Sequence, residues 1–160
     1  MAKAAKPVPE GLHTITPHLV LDDAASMLDW YKKALGAEEL HRSAGPDGKI
    51  MHAELKIGDS HFYANDVMPG AKGPKELGGS PAAMWLYVDN SDALFNRATG
   101  AGAKVQMPLA DQFWGDRAGA VADPAGYTWW IATRKEDLSQ AEMMKRSEDF
   151  FKQASAPQHS

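Results

Sequence analysis

Hydrophobic and polar residues follow two periods along the chain, and together they predict the same series of elements twice. Strict alternation is typical of strands, and apolar residues three and four apart are typical of helices. The first module, over residues 11–65, is predicted to contain a strand, a helix and three strands, at residues 12–21, 24–36, 37–43, 49–57 and 60–65. The second module, over residues 83–134, repeats this order at residues 83–88, 92–100, 104–107, 117–122 and 127–133.

The repeat also shows in the residues themselves. Three stretches match their counterparts at offsets of 67, 66 and 68 residues: 19–22 with 86–89, 36–37 with 102–103, and 58–64 with 126–132. A single βαβββ unit leaves one face of its sheet uncovered, so two stacked copies bury apolar surface that one copy exposes. We therefore predict one domain over residues 11–135, built from two βαβββ modules.

The remaining segments are predicted from proline, glycine and capping signals. Residues 1–10 are expected to form a flexible tail. Residues 66–82 hold three prolines and four glycines, a density that predicts an irregular connector or a lid-like loop. Ser139 and Glu142 form a capping box that opens an amphipathic helix over residues 139–153, and residues 154–160 are expected to fray.

Composition excludes several classes of function. Seventeen basic and twenty-one acidic residues give a net charge of −4 without a basic stripe, which argues against nucleic-acid binding. The chain has no cysteine, so disulfides, thiolate catalysis and thiolate metal sites are excluded, which is compatible with a reducing compartment. No signal peptide and no apolar run long enough to span a membrane are recognised, so we expect a cytoplasmic protein without membrane partners.

Five local strings resemble the PhnB-like branch of the vicinal oxygen chelate superfamily, which includes glyoxalase I, extradiol dioxygenases, fosfomycin-resistance enzymes and bleomycin-binding proteins. They are residues 16–20, 30–37, 46–55, 107–117 and 132–138. The resemblance implies an α+β fold in which tandem βαβββ modules form a curved mixed sheet around a cleft, with an added C-terminal helix. It also implies a homodimer, because sheets of this family commonly pair between subunits.

The resemblance further implies where a metal ion would be bound. Metal-using members carry ligands at the start of the first strand of each module and four residues after the glycine that opens each last strand. In this chain those positions hold Thr16, Ala83, Phe62 and Trp130, and none supplies an imidazole or a carboxylate. We therefore predict no metal ion at the family's usual site, and no cofactor.

Strand alternation counted from those four positions assigns three polar side chains to the cleft. They are His18, His52 and Glu54, whereas His61 is predicted to face the helix. One interpretation is an acid–base pair or a displaced metal site, with Glu54 orienting a histidine. The other is a hydrogen-bonded polar patch without catalytic function.

A second group of candidates is suited to binding a planar ligand. Trp85, Trp130 and Phe62 are assigned to the cleft by alternation, and large flat rings stack on planar molecules. The loop before the seventh strand adds Gln112, Trp114 and Arg117. The alternatives are that the rings only fill the space of the missing metal site, and that Arg117 forms an ion pair with Asp116.

Two hypotheses of function follow from these candidates. The first is a protein that binds a small planar or aromatic molecule between the modules without the family's metal. The second is a lyase or isomerase that uses a displaced metal or acid–base chemistry at His18, His52 and Glu54. A purely structural role, in a dimer whose clefts are both filled by Trp85 and Trp130, is the third possibility. Neither residue type nor spacing identifies the ligand, so the choice among these stays open.

Overall fold

A computed structural model describes residues 6–155 of the chain. The first module contains β1 (His18–Leu21), α1 (Ala24–Leu35), β2 (Glu38–Ala44), β3 (Ile50–Ile57) and β4 (Ser60–Asp66). The connector contains one helical turn, α2 (Pro74–Leu77). The second module contains β5 (Ala83–Tyr87), α3 (Ser91–Gly100), β6 (Lys104–Asp111), β7 (Asp116–Ala122) and β8 (Thr128–Arg134), and α4 (Gln140–Ala154) follows it.

The two modules have the same topology. Their sheets have the strand orders β1-β4-β3-β2 and β5-β8-β7-β6, with one parallel pair in each and antiparallel pairs elsewhere. No strand of one sheet pairs with a strand of the other among the described residues. The predicted α+β fold of tandem βαβββ modules with a C-terminal helix is confirmed.

Helix α1 shows how local sequence and packing agree. The Asp23 side chain accepts a hydrogen bond from the Ser26 amide at 3.2 Å, which satisfies a free donor of the first turn. Gly36 ends the helix at φ 69°, a left-handed conformation that glycine adopts without steric cost. The buried stripe includes Leu28, Tyr31 and Leu35, and it covers one face of the first sheet.

The modules join through their helix-covered faces. Phe62 of the first sheet lies 5.9 Å from Trp129 of the second, measured between ring centroids. The Tyr31 hydroxyl of α1 donates to Asp123 Oδ2 at 2.7 Å, across the same boundary. The opposite faces of both sheets stay open, as the exposed Trp85 shows.

The observed strand register corrects part of the predicted side-chain alternation. His18 pairs with Tyr63, and Trp85 pairs with Trp130, so β4 corresponds to β8 at an offset of 67 residues rather than 68. Two residues, 58–59, separate β3 from β4, whereas five, 123–127, separate β7 from β8, so the opening glycines are not equivalent. A shift of one residue in a strand reverses the face of every side chain.

Phe62 and His61 exchange their predicted orientations as a result. Phe62, assigned to the cleft, faces α1 and packs edge-on against Tyr31 at 5.6 Å between centroids. His61, assigned to the helix side, lies on the open face, where it contacts Glu54. Both assignments from alternation were wrong, because they were counted from Gly58 as if it matched Gly126.

Three further boundaries differ from the predictions. The connector is not wholly irregular, because Pro74 occupies the first turn of α2, where a missing amide is tolerated. Strand β1 begins at His18 instead of residue 12, directly after Pro17. Strand β6 extends to Asp111 and accommodates Pro108 because it is an edge strand with register shifts.

The predicted ends of the chain are only partly described. Residues 6–10 of the predicted tail contain no helix or strand. Residues 1–5 of that tail and residues 156–160 of the predicted frayed end lie outside the described residues. Within residues 6–155, none of the helices combines the length and apolar character that crossing a bilayer requires.

Candidate functional site

A cavity of about 470 Å³ lies between the two modules, near the starts of β1 and β5. Most of its wall consists of apolar side chains from the helix-covered faces of both sheets: Leu19, Ile57, Phe62, Met84, Leu86 and Trp129. The lining also includes four residues with polar side chains, Thr16, Ser60, His13 and His61. A mostly apolar cavity of this volume with a few polar groups is typical of sites for small molecules.

Trp85 connects this cavity to an aromatic cluster on the open face of the second sheet. It lines the cavity, is 41% exposed, and stacks on Trp130 with 4.6 Å between centroids and 7° between planes. The Trp114 ring lies 6.4 Å from that of Trp85. The structure thus brings the three predicted tryptophans together. That they bind a ligand stays a prediction.

Asp116 accepts hydrogen bonds from two aromatic residues on the open face of the second sheet, Tyr87 and Trp114. The Tyr87 hydroxyl and the Trp114 indole N–H donate to its Oδ2 at 2.9 and 3.0 Å. Asp116 is only 2% exposed, and its Oδ1 has no hydrogen-bond partner among the described residues. Desolvation and the bond to this carboxylate raise the pKa of Tyr87 above its ordinary value.

Gln112 and Arg117, predicted to contact a ligand, are engaged within the chain. Gln112 Nε2 donates to the Ala118 carbonyl at 3.0 Å. Arg117 pairs with Asp92 of α3 at 2.7 Å and with Asp111 at 3.3 Å, rather than with Asp116. These ion pairs raise the pKa of the Arg117 guanidinium, and they tie the start of β7 to α3.

The three polar candidates lie on one open face but do not form one site. His18 Nε2 bonds to Asn65 Oδ1. The His52 ring meets the Tyr63 ring edge-on, with 4.8 Å between centroids. Tyr63 pairs with both His18 and Glu54, so it separates these two side chains across the sheet.

Glu54 instead contacts His61, which alternation had placed on the other face. Its Oε1 lies 2.7 Å from His61 Nδ1, and the two side chains are 25% and 12% exposed. His61 also lines the inter-module cavity. The sequence held a signal for this residue: the two-residue turn Gly58-Asp59 pairs residue 57 with residue 60, which places Phe62 opposite the core residue Leu55 and turns His61 to the open face.

The sequence of the chain matches the model of one protein superfamily over most of its length. The model of the Glyoxalase/Bleomycin resistance protein/Dioxygenase superfamily matches residues 11–131. The chain belongs to this superfamily. A protein of Mycobacterium tuberculosis, named only as uncharacterized, is 46% identical over 134 residues, covering 81% of this chain and 79% of the relative.

Solved structures of the superfamily fold agree with this assignment. Protein PA1353 from Pseudomonas aeruginosa is 28% identical, with a TM-score of 0.61 over 78% of this chain and 99% of that protein. The PhnB protein from Bacillus cereus is 15% identical, with a TM-score of 0.59 over 76% of this chain and 99% of that protein. The second likeness is one of fold alone.

The residues at the superfamily's metal positions do not fit a divalent ion. Thr16 and Ala83 both line the inter-module cavity, but they supply a hydroxyl and a methyl group. With the corrected register, the residue equivalent to Trp130 in the first module is Tyr63. Within residues 6–155, no three side chains of His, Asp or Glu converge closely enough to hold a metal ion.

Proposed function

We propose that this superfamily member binds a small, planar and largely apolar molecule in the cavity between its modules. The observation that carries the proposal is the cavity of about 470 Å³ walled mainly by aromatic and aliphatic side chains. Burying the faces of a planar molecule against such walls is favourable at roughly 25 cal/mol per Å² of apolar surface. The few polar groups in the wall orient the ligand rather than supply most of its affinity.

Trp85 is the residue whose substitution tests this proposal most directly. Trp85 lines the cavity from the open face of the second sheet, and Trp130 holds its ring in a stacked orientation before any ligand arrives. A preorganised ring loses little conformational freedom when it stacks on a ligand. Removal of the Trp85 ring therefore lowers affinity for a planar probe by about tenfold or more.

The test uses 6-propionyl-2-(dimethylamino)naphthalene, a neutral, planar fluorescent probe, in titrations of the wild type and two variants. Trp85→Ala is expected to weaken binding about tenfold, while saturable binding of one probe per chain is expected for the wild type. Trp114→Phe is the matched control, because Trp114 belongs to the same aromatic cluster but does not line the cavity. Equal losses in both variants would place the probe on the open face and refute the cavity proposal.

The alternative enzyme built on His18, His52 and Glu54 lacks geometric support. Each of the three side chains has its own partner on the sheet, so they do not meet at a common reacting atom. General acid–base catalysis requires the acting group within hydrogen-bond reach of the proton it moves. We therefore retain the binding function as the proposal and do not carry these three residues forward as one catalytic site.

We further propose that the protein acts as a homodimer. Its edge strands and C-terminal helix leave apolar side chains exposed, among them Leu40 (48%), Val105 (51%), Met144 (59%) and Phe151 (59%). Exposed apolar surface on edge strands and on an amphipathic helix favours association with a second copy. Light scattering at micromolar concentration is expected to give twice the chain mass, and a monomer mass under those conditions would contradict the proposal.

A further inference from the structure

A carboxylate–imidazole pair lies at the same cavity and is not required for binding an apolar ligand. We infer that His61 and Glu54 form a proton-transfer site at the inter-module cavity, with His61 Nε2 as the general base and Glu54 as the residue that positions its ring. Glu54 Oε1 and His61 Nδ1 are 2.7 Å apart, and His61 lines the cavity. The inference uses the proposed binding cavity and adds an activity to it.

The β3–β4 hairpin is what holds the pair together. Lys56 pairs with His61 and Glu54 pairs with Tyr63, so Glu54 and His61 are diagonal neighbours on one face of adjacent strands. Long side chains reach each other across such a diagonal. Because both residues belong to one tight hairpin, their relative position does not depend on loop conformation.

The contact determines which ring nitrogen is available for chemistry. A carboxylate only accepts hydrogen bonds, so Nδ1 of a neutral His61 carries the proton and donates it to Glu54. Nε2 then bears the free lone pair, as a general base requires. Within residues 6–155, Nε2 has no hydrogen-bond partner, and it is not among the fully buried unsatisfied atoms.

The surroundings of His61 favour proton transfer and restrict the substrate. The described residues that line the cavity include no Lys, Arg, Asp or Glu, so a neutral and largely apolar substrate is favoured over an anion. Glu54 is not part of the wall and acts through His61. When His61 takes a proton, the adjacent Glu54 carboxylate stabilises the resulting imidazolium in a poorly solvated place.

The reaction class follows from a single base in an apolar cavity. His61 Nε2 removes a proton from a carbon next to a carbonyl or a heteroaromatic nitrogen, and the C–H electron pair moves into the adjacent π system. The imidazolium then returns the proton to another atom of the same molecule, which is an isomerisation. The reaction therefore needs no oxidant, no reductant and no second substrate.

The test uses 5-nitrobenzisoxazole, a neutral planar probe that reports proton abstraction directly. His61 Nε2 takes its C3 proton, the C–H electron pair forms the nitrile, and the N–O bond breaks to release coloured 2-cyano-4-nitrophenolate. The wild type is expected to show a rate that saturates with probe and exceeds that of free imidazole at equal concentration. His61→Asn is expected to lower kcat by about 100-fold, the lower end for general-base catalysis.

Two further variants separate catalysis from structure. Glu54→Gln keeps the size of the side chain but removes its charge, so kcat is expected to fall about tenfold while KM stays within about twofold. His41→Asn is the matched control, since His41 is exposed on β2 and does not line the cavity. Its kcat is expected to equal that of the wild type.

The outcomes distinguish this inference from the binding proposal. A wild type without a saturable rate, or a His61→Asn variant that retains the rate, overturns the proton-transfer site. A Glu54→Gln variant that changes KM alone overturns the positioning role of Glu54. Titration of the same proteins with 6-propionyl-2-(dimethylamino)naphthalene shows whether the cavity itself survives: if that probe still binds when the rate is absent, only the activity fails.

Discussion

The hydroxyl of Tyr31 is the most informative single group for testing how the modules are held together. Tyr31 is fully buried, and its hydroxyl donates to Asp123 Oδ2 at 2.7 Å. The Trp129 indole N–H donates to the same oxygen at 2.9 Å, and Asp123 is only 4% exposed. Tyr31→Phe removes this donor and leaves the packing of the ring in place.

The expected cost follows from the charge of the acceptor. A hydrogen bond to a charged group contributes about 1.5–3 kcal/mol, and a buried carboxylate that loses a donor stays poorly solvated. We therefore expect Tyr31→Phe to lower the free energy of unfolding by about 2 kcal/mol at neutral pH. Tyr63→Phe is the control, because the Tyr63 hydroxyl has no hydrogen-bond partner within residues 6–155; a change below about 0.5 kcal/mol is expected there.

The pKa of Asp123 adds a second test of the same reasoning. Burial raises its pKa above the ordinary value, although donors from Trp129 and Tyr31 oppose the rise. Because the pKa of Asp123 is higher in the folded than in the unfolded protein, its contribution to the free energy of unfolding is fully present below the unfolded-state pKa. That contribution is lost as the pH rises through the folded-state pKa. Without the Tyr31 hydroxyl the pKa rises further, so the penalty of Tyr31→Phe is largest at neutral pH and shrinks in acid.

Urea unfolding followed by tryptophan fluorescence at several pH values measures these differences. Both variants are expected to keep the wild-type dependence on urea, because the surface exposed on unfolding is unchanged. A Tyr31→Phe variant as stable as Tyr63→Phe would refute the reasoning. So would a penalty of the same size at neutral pH and at a pH where Asp123 is protonated.

Two further predictions concern packing and surface charge. A Cβ at Gly119 would lie 2.7 Å from Phe95 Cε2, so Gly119→Ala is expected to lower the free energy of unfolding by about 1–3 kcal/mol. Gly100 is exposed at the end of α3 with open space where a Cβ would lie, so Gly100→Ala is expected to raise the free energy of unfolding by up to about 1 kcal/mol. Thermal unfolding of the two variants measures both changes. The hydrogen bond from Arg42 lowers the pKa of Glu39 below 4.5, so its stabilisation is present above that pH and lost as the pH falls below it. Urea unfolding of Glu39→Gln is therefore expected to show a loss of at most about 1 kcal/mol at neutral pH that disappears in strong acid, and a loss independent of pH would contradict this assignment.

Periodicity and capping residues determined the order of elements without help from tertiary contacts. The apolar stripe of Leu28, Tyr31 and Leu35 between Asp23 and Gly36 predicts α1, and the structure places that helix over the same residues. A period of 3.6 and a period of 2 produce different residue patterns, so helices and strands are distinguished by local sequence. The duplication was equally visible, because each module repeats these patterns in the same order.

Side-chain orientation was predicted correctly only in strands whose assumed residue pairing agrees with the structure. Trp85 and Trp130 were placed on one face, and β5 and β8 pair them directly. Phe62 and His61 were misplaced because the β3–β4 and β7–β8 turns differ in length, so that matching their glycines shifts the equivalence of β4 and β8 by one residue. Since alternation has a period of two, an error of one residue moves a side chain to the opposite face.

Contacts between the modules were decided only by tertiary structure. The Tyr31 hydroxyl donates to Asp123, 92 residues away along the chain, and the cavity wall combines Phe62 from one module with Trp129 from the other. Local sequence determines which residues form a strand or helix, because those interactions lie within a few residues. It does not determine which distant faces meet, because that depends on how complete sheets and helices pack to bury apolar surface.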